Sequence, residues 1–225
     1  MKSFIIYLPK FEESTKTASA LKAKLEEFNM PVELFEGTNG NDAVKMMQDE
    51  NRTAHLWGIK GPEFPIDITH KSFEKITRAG VKGCFYSHYR LWEKCVDLDE
   101  PIIIWEDDIV LTRPYFSVEW KDVLVLALGH RTKSEKYMHL LLSPTGEPAA
   151  VKYLQGSMPG CCGYAIKPHA AQKLLNTFKN TYLPADNAIN QHIVNIEIHN
   201  YVMGIALITK DGKLSLTTNT EVWKN

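Results

Sequence analysis

Residues 101–111, PIIIWEDDIVL, run four apolar side chains (Ile102 to Trp105) straight into three consecutive acids, Glu106, Asp107 and Asp108. A solid apolar run of this kind suits a central strand of a layered sheet. The acids then stand where that strand leaves the sheet, at the edge where open α/β sheets bind ligands. Negative charge gathered there costs stability by mutual repulsion unless a cation binds or the side chains diverge. Hard divalent ions such as Mg²⁺ or Mn²⁺ take carboxylate oxygens and commonly keep coordination sites for phosphate. On an extended segment Glu106 and Asp108 share one side and Asp107 takes the other, so two acids are expected to cooperate and the third to differ in role. The competing reading is a solvated loop start in which Asp107 or Asp108 caps a turn.

Around this strand the pattern alternates. SFIIYL (3–8), stopped by Pro9, reads as a first strand. Ser14 or Thr15 is placed to cap a helix whose apolar positions Ala18, Leu21, Leu25 and Phe28 recur every three or four residues, with Asn29 and Pro31 ending it. VELF (32–35) is a second strand, followed by the turn-rich GTNGND (37–42), so the opening is a βαβ unit with a right-handed parallel crossover. Residues 51–80 are broken by Gly58, Gly61, Pro62, Pro65 and Gly80 and carry no assignment. Helical spacing returns over 81–98, with Cys84, Ser87 or His88, Leu91, Trp92, Cys95 and Leu98 on one face. Strands are expected at 122–129, 138–143, 151–156 and 162–167, and a helix at 169–178 after Pro168, while 189–208 fits helix and strand equally. The expected architecture is a single α/β domain, Rossmann-like, with a mainly parallel central sheet flanked by helices.

Composition narrows the function. The 225 residues fit one full-size domain, and 44% hydrophobic with 24% charged residues excludes disorder. Lys+Arg 26 against Asp+Glu 27 excludes binding through a wholesale basic surface. The opening MKSFIIYLPKFEES is too short in apolar residues for a signal peptide, and VLVLAL (123–128) falls far below the ~20 residues of a membrane span, so a cytoplasmic chain without a span is expected. Cys84, Cys95, Cys161 and Cys162 contain no CxxC, and the adjacent pair would point to opposite faces of a strand. Buried free thiols are expected rather than disulfides or zinc ligands.

The string AGVKGCFYSHYRLWEKCVDLDEPIIIWEDDIVL (79–111) resembles glycosyltransferase family 25, the family of lipooligosaccharide and collagen-type galactosyltransferases, in its GC..SH...W helix followed by a strand ending in EDD. DVLVLALG (122–129), GYAIKPHAAQKLL (163–175) and LPAD (183–186) are similar to further family segments, and short bacteriophage members share the outline. The resemblance implies a GT-A-type fold, a nucleotide-sugar donor such as a UDP-sugar, inversion at the anomeric carbon, and Mn²⁺ or Mg²⁺ held by Asp108 with Glu106. It places donor contacts in the part spanning 1–50 and the metal and acceptor part at 79–190. Asp186 becomes the candidate base; otherwise it is a helix N-cap. Leu8, Pro9, Phe35, Glu36, Gly37, Ser87, His88 and Asp107 become donor-site candidates, although His88 also suits a plain helix–strand hydrogen bond and Trp92 suits the core. His192 is a third metal ligand or a solvated histidine. The implied acceptor is a saccharide such as lipooligosaccharide or a hydroxymethylated base in DNA. The second is suggested by Lys60, Lys71, Lys75, Arg78 and Lys82 interleaved with Trp57, Phe64 and Phe73. A metal-dependent phosphohydrolase or nuclease using the same acids, and a non-catalytic nucleotide-sugar-binding module, are the alternative functions.

Overall fold

Strands β1 (Lys2–Tyr7), β2 (Glu33–Glu36), β4 (Ile102–Glu106) and β6 (Val123–Leu128) build the framework of the sheet, as their apolar runs require. The computed structural model describes residues 1–54, 76–129, 146–152, 156–158 and 160–206. The remaining strands are β3 (Thr53–Ala54), β5 (Ile109–Leu111), β7 (Ala150–Lys152), β8 (Gly163–Ile166), β9 (Thr181–Tyr182), β10 (Ile196–His199) and β11 (Gly204–Ala206). The main sheet runs β2-β1-β4-β8-β6-β10-β7, with β11 continuing along β6 and pairing β5, while β3 and β9 form a separate pair. β1, β2, β4, β6, β10 and β11 point one way. β5, β7 and β8 run against them, with β8 wedged between β4 and β6. The fold is α/β and mostly parallel, with the expected βαβ opening intact.

The central strands bury both faces by their period of two. Ile102 and Ile104 of β4 and Val123 and Val125 of β6 join helices α2 (Gly40–Asp49), α3 (Ala79–Leu98) and α4 (Pro168–Thr177) on one side of the sheet. Ile103, Trp105, Leu124 and Leu126 meet Ala18, Leu21 and Leu25 of α1 (Glu12–Glu27) on the other. Cys161 belongs to the first cluster and Cys162 to the second, and all four cysteines are free, as their spacing suggested. Gly163 lies opposite Trp105 across β4 and β8, and a Cβ there would fall 2.4 Å from the indole ring, so β8 can cross this row only as glycine.

Several boundaries differ from the pattern. The run 101–111 is two strands, not one, because Asp107 and Asp108 turn the chain back so that β5 can pair β11. Neither Ser14 nor Thr15 caps α1. Phe11 occupies that position, and Ser14 sits inside the first turn with its hydroxyl engaged elsewhere. Asn39 caps α2 by accepting from the Asn41 N–H at 2.9 Å, so a helix follows where 37–42 read only as a turn. The described part of the ambiguous 189–208, up to residue 206, forms a turn, β10 and β11. Of the strand read at 151–156, the described part lies in Ala150–Lys152, with 153–155 outside the described residues, as is the whole of 138–143. Among the described residues no helix is long and apolar enough to cross a membrane.

Asp122 locks the start of β6. Its buried carboxylate accepts from the Asn195 backbone N–H and Nδ2, both at 2.9 Å, and lies 2.7 Å from His169 Nε2, so it ties β10 and α4 together. Burial pushes this carboxyl upward, but the Asn195 and His169 hydrogen bonds and the Lys173 charge outweigh it and leave it below its ordinary value. A depressed folded value means that the stabilisation is complete above the unfolded carboxyl's value, about 3.9, and disappears as pH falls through the folded one. Asp122→Ala is expected to lose about 1.5–3 kcal/mol at neutral pH. In urea titrations the gap to the wild type should close in acid.

Candidate functional site

The three acids occupy the carboxyl edge of β4 but do not act as one array. Glu106 ends the strand and points toward α3: its Oε1 lies 3.7 Å from Cys84 Sγ and 3.6 Å from His88 Nε2. Asp107 turns to the opposite side, where its Oδ2 accepts from the Ser14 hydroxyl. The expected split between these two acids is therefore present. The same Ser14 oxygen accepts from the Leu8 N–H at 2.8 Å, so one buried hydroxyl joins the end of β1 to the acidic turn. Asp108 follows with Oδ1 buried and without a hydrogen-bond partner.

Electrostatics gathers more residues here than the hydrogen bonds do. Burial, then the charges of Glu106 and Asp107, lift the Asp108 carboxyl well above the usual carboxylate range. Burial also lifts Asp107 to about 6, against the pull of the Ser14 hydrogen bond. Asp186, in the first turn of the short helix α5 (Ala185–Ala188), is lifted to about 6 by burial and then by Glu106. It is not the N-cap, which is Pro184, so the capping role open to it in sequence is not the one it takes. Burial, followed by Glu106, Asp186 and Asp108, raises the Cys84 thiol, and burial with Asp186 and Glu106 raises Cys161. Thiols held this high are poor nucleophiles.

A carboxylate cluster that resists ionisation, with one buried oxygen unpartnered, is a donor set suited to a hard divalent cation. Asp108 offers the unpartnered oxygen, and Glu106, the other expected ligand, ends the strand beside it. Among the described residues one trio, Cys84, His88 and Glu106, brings three ligand atoms within 4.8 Å of one another. His192 is outside that trio, exposed on the turn before β10.

A cleft of about 360 Å³, which none of the three acids lines, opens at the ends of β1 and β2 between Leu8, Pro9, Lys10, Glu36 and Gly37, and Leu8 links it to Asp107 through Ser14. Thr38, Asn39, Asp42, Met46 and Arg90 complete its wall. Four of the donor-site candidates thus meet in one place. Phe35 lies behind them with the Arg90 guanidinium 4.9 Å over its ring, and Arg90 Nη1 donates to Glu36 O at 3.3 Å and Thr38 Oγ1 at 3.4 Å. Ser87 supports the cleft from beneath: its buried hydroxyl accepts from Thr38 N at 2.8 Å and donates to Gly83 O at 2.7 Å, which leaves it no free proton for a ligand. His88, equally buried, faces Tyr164 and Glu106 rather than the cleft. A Cβ at Gly83 would sit 2.7 Å from Thr38 O and 3.1 Å from Gly40 Cα, so glycine lets the loop rest on the helix. Arg90 and Asp42 carry no site role in the sequence reading, and Ser14 carries only that of a helix cap. Arg90 follows Ser87 by three residues in α3, a spacing that puts both on the side facing the loop.

A mostly parallel α/β sheet with acids and a cleft at its carboxyl edge defines a Rossmann-like protein, and that edge is where open α/β sheets bind ligands. Residues 1–189 match the family described as glycosyltransferase family 25 (LPS biosynthesis protein). The lipooligosaccharide biosynthesis protein lic2B of Haemophilus influenzae is 58% identical over 162 residues, covering 63% of this chain and 60% of that protein. The lipooligosaccharide biosynthesis protein lex-1 of Haemophilus influenzae (strain ATCC 51907 / DSM 11121 / KW20 / Rd) is 28% identical over 145 residues, 57% of this chain and 47% of the relative. A glycosyltransferase 25 family member of Aedes aegypti is 30% identical over 120 residues, 53% of this chain and 18% of its own length. The chain belongs to glycosyltransferase family 25. It spans 60% or less of the length of these relatives.

Proposed function

We propose that the protein is a metal-dependent, inverting glycosyltransferase that moves a sugar from a nucleotide-sugar donor to a saccharide hydroxyl of the lipooligosaccharide kind. The observation that carries this reading is the buried, unpartnered Asp108 Oδ1 in the acidic turn that ends β4, where the Glu106 charge also raises the Asp108 and Asp186 carboxyls, in a chain of this family. The saccharide acceptor is favoured by the names of the two Haemophilus relatives, both lipooligosaccharide biosynthesis proteins. The stretch that suggested DNA falls almost wholly outside the described residues, apart from Arg78 and Lys82. Lys82 lies over the Tyr182 ring, 5.8 Å from its centroid.

In this reading the cleft takes the nucleotide, and Glu36 and Asp42 offer carboxylates to its hydroxyls. Mn²⁺ or Mg²⁺ held by Asp108 and Glu106 would supply positive charge for the departing diphosphate. Asp186 accepts the proton of the acceptor hydroxyl as its oxygen bonds to the anomeric carbon and the sugar–phosphate bond breaks, the electron pair leaving with the nucleoside diphosphate. A carboxyl lifted to about 6 is a better base than an ordinary aspartate and remains ionised at neutral pH.

The test is a thermal-shift screen of UDP-, GDP-, CMP- and TDP-sugars with and without Mn²⁺, followed by transfer assays on oligosaccharide and on hydroxymethylated DNA. Metal-dependent stabilisation by one donor and transfer to the oligosaccharide are expected. Release of phosphate or cut DNA without a sugar donor would replace this reading with a hydrolase, and binding without turnover would leave a binding module. Arg90→Ala should raise the KM for the donor about tenfold with kcat nearly unchanged, because it removes a wall of the cleft and no reacting group. Steady-state kinetics with varied donor would show this.

A further inference from the structure

Behind Glu106, three buried side chains form a relay whose protons can be counted. Trp92 Nε1–H lies 2.9 Å from the Tyr164 hydroxyl and can only donate, so the phenol oxygen accepts. The phenol keeps one proton of its own. Among the described residues its other neighbour within hydrogen-bond reach is His88 Nδ1, at 2.9 Å. Tyr164 therefore donates to Nδ1; a proton on Nδ1 would face the phenol's own proton in a site where neither residue is more than 1% exposed. The imidazole proton then belongs on Nε2. That nitrogen is buried, has no hydrogen-bond partner, and lies 3.6 Å from Glu106 Oε1.

We infer that His88 is a positioning residue, fixed by the Trp92–Tyr164 relay with its proton on Nε2 so that this N–H steers the carboxylate of Glu106. The inference rests on the reading of Glu106 as part of the reacting site. At 3.6 Å the contact is longer than a hydrogen bond, and a small rotation of Glu106 closes it, as catalytic contacts tighten when ligands bind. Cys84 approaches the same Oε1, so both donors converge on one oxygen and leave Oε2 for the cation or the donor. The same trio has the spacing of a soft-metal site. A metal-bound imidazole, however, needs its lone pair on Nε2 and its proton on the other nitrogen, the arrangement that the relay opposes.

The test is a long-range ¹H–¹⁵N spectrum of metal-free protein labelled at histidine, with His88 assigned from His88→Gln. The expected signature is a protonated Nε2 and a bare Nδ1, lost in Tyr164→Phe, which keeps the ring and removes only the hydroxyl. In transfer assays Tyr164→Phe and His88→Leu should lose about 10–100-fold in kcat with the donor KM little changed. His88→Gln, which can present an N–H near the Nε2 position, should recover most of that loss. A proton on Nδ1, wild-type kcat in His88→Leu, or one equivalent of Zn²⁺ that shifts the His88 signals and is lost in Cys84→Ser would each overturn the inference. If the wild type transfers no sugar at all, the functional reading falls, and the spectra still decide where the proton sits.

Discussion

Asp108→Asn should lose about 10²–10³-fold or more in sugar transfer while the metal-free protein becomes harder to unfold. The loss follows from removing a carboxylate oxygen that would hold a cation against the leaving diphosphate. The gain follows from its charge state. Burial and two neighbouring acids raise the folded value of this carboxyl, so ionised Asp108 opposes folding at any pH above its unfolded value. An amide has no such charge to bury. A higher Tm without metal, together with loss of the Mn²⁺-dependent rise in Tm, separates this outcome from simple misfolding. A variant with wild-type turnover would remove the cation from the account.

Asp186→Asn carries the second large effect, about 10²–10⁴-fold in kcat, with donor binding and the Mn²⁺-dependent rise in Tm retained. Its pH behaviour is equally specific. With the folded value near 6, kcat/KM should fall tenfold per pH unit below that point as the base takes up a proton before the acceptor arrives. Part of this elevation comes from Glu106, so a cation beside Glu106 draws the value down. The acid limb should therefore move to lower pH as Mn²⁺ is raised toward saturation, and should vanish in the variant. A limb that ignores the metal would separate Asp186 from the acidic turn.

Much of the fold was legible because the central strands are apolar at every position and the helices flanking them repeat at three and four residues. Helix α3 begins at Ala79, two residues before its expected start, and α4 at Pro168, one before. The antiparallel insertion of β8 was not legible, since GYAI carries no mark of direction. Nor was α2, whose first turn is built from glycine, asparagine and aspartate and so reads as loop chemistry. At the site, adjacency in sequence placed Glu106 and Asp107 on opposite sides correctly. It could not reveal that Ser14 stands between Leu8 and Asp107, or that Tyr164 backs His88, because those contacts join residues separated by 93 and 76 positions.

One rod, α3, touches both halves of the site: Gly83 and Ser87 seat the Thr38 loop, and Cys84 and His88 address Glu106. If the proposed function holds, any drift of that rod shifts the recognition of the leaving group and the placement of its counter-charge together. Natural or laboratory variation toward a different base or sugar therefore has its freedom on the far bank, at Glu36, Asp42 and Met46. Libraries spread over those three positions should exchange preference at little loss of speed, whereas changes at Gly83, Cys84 or His88 should slow every substrate alike.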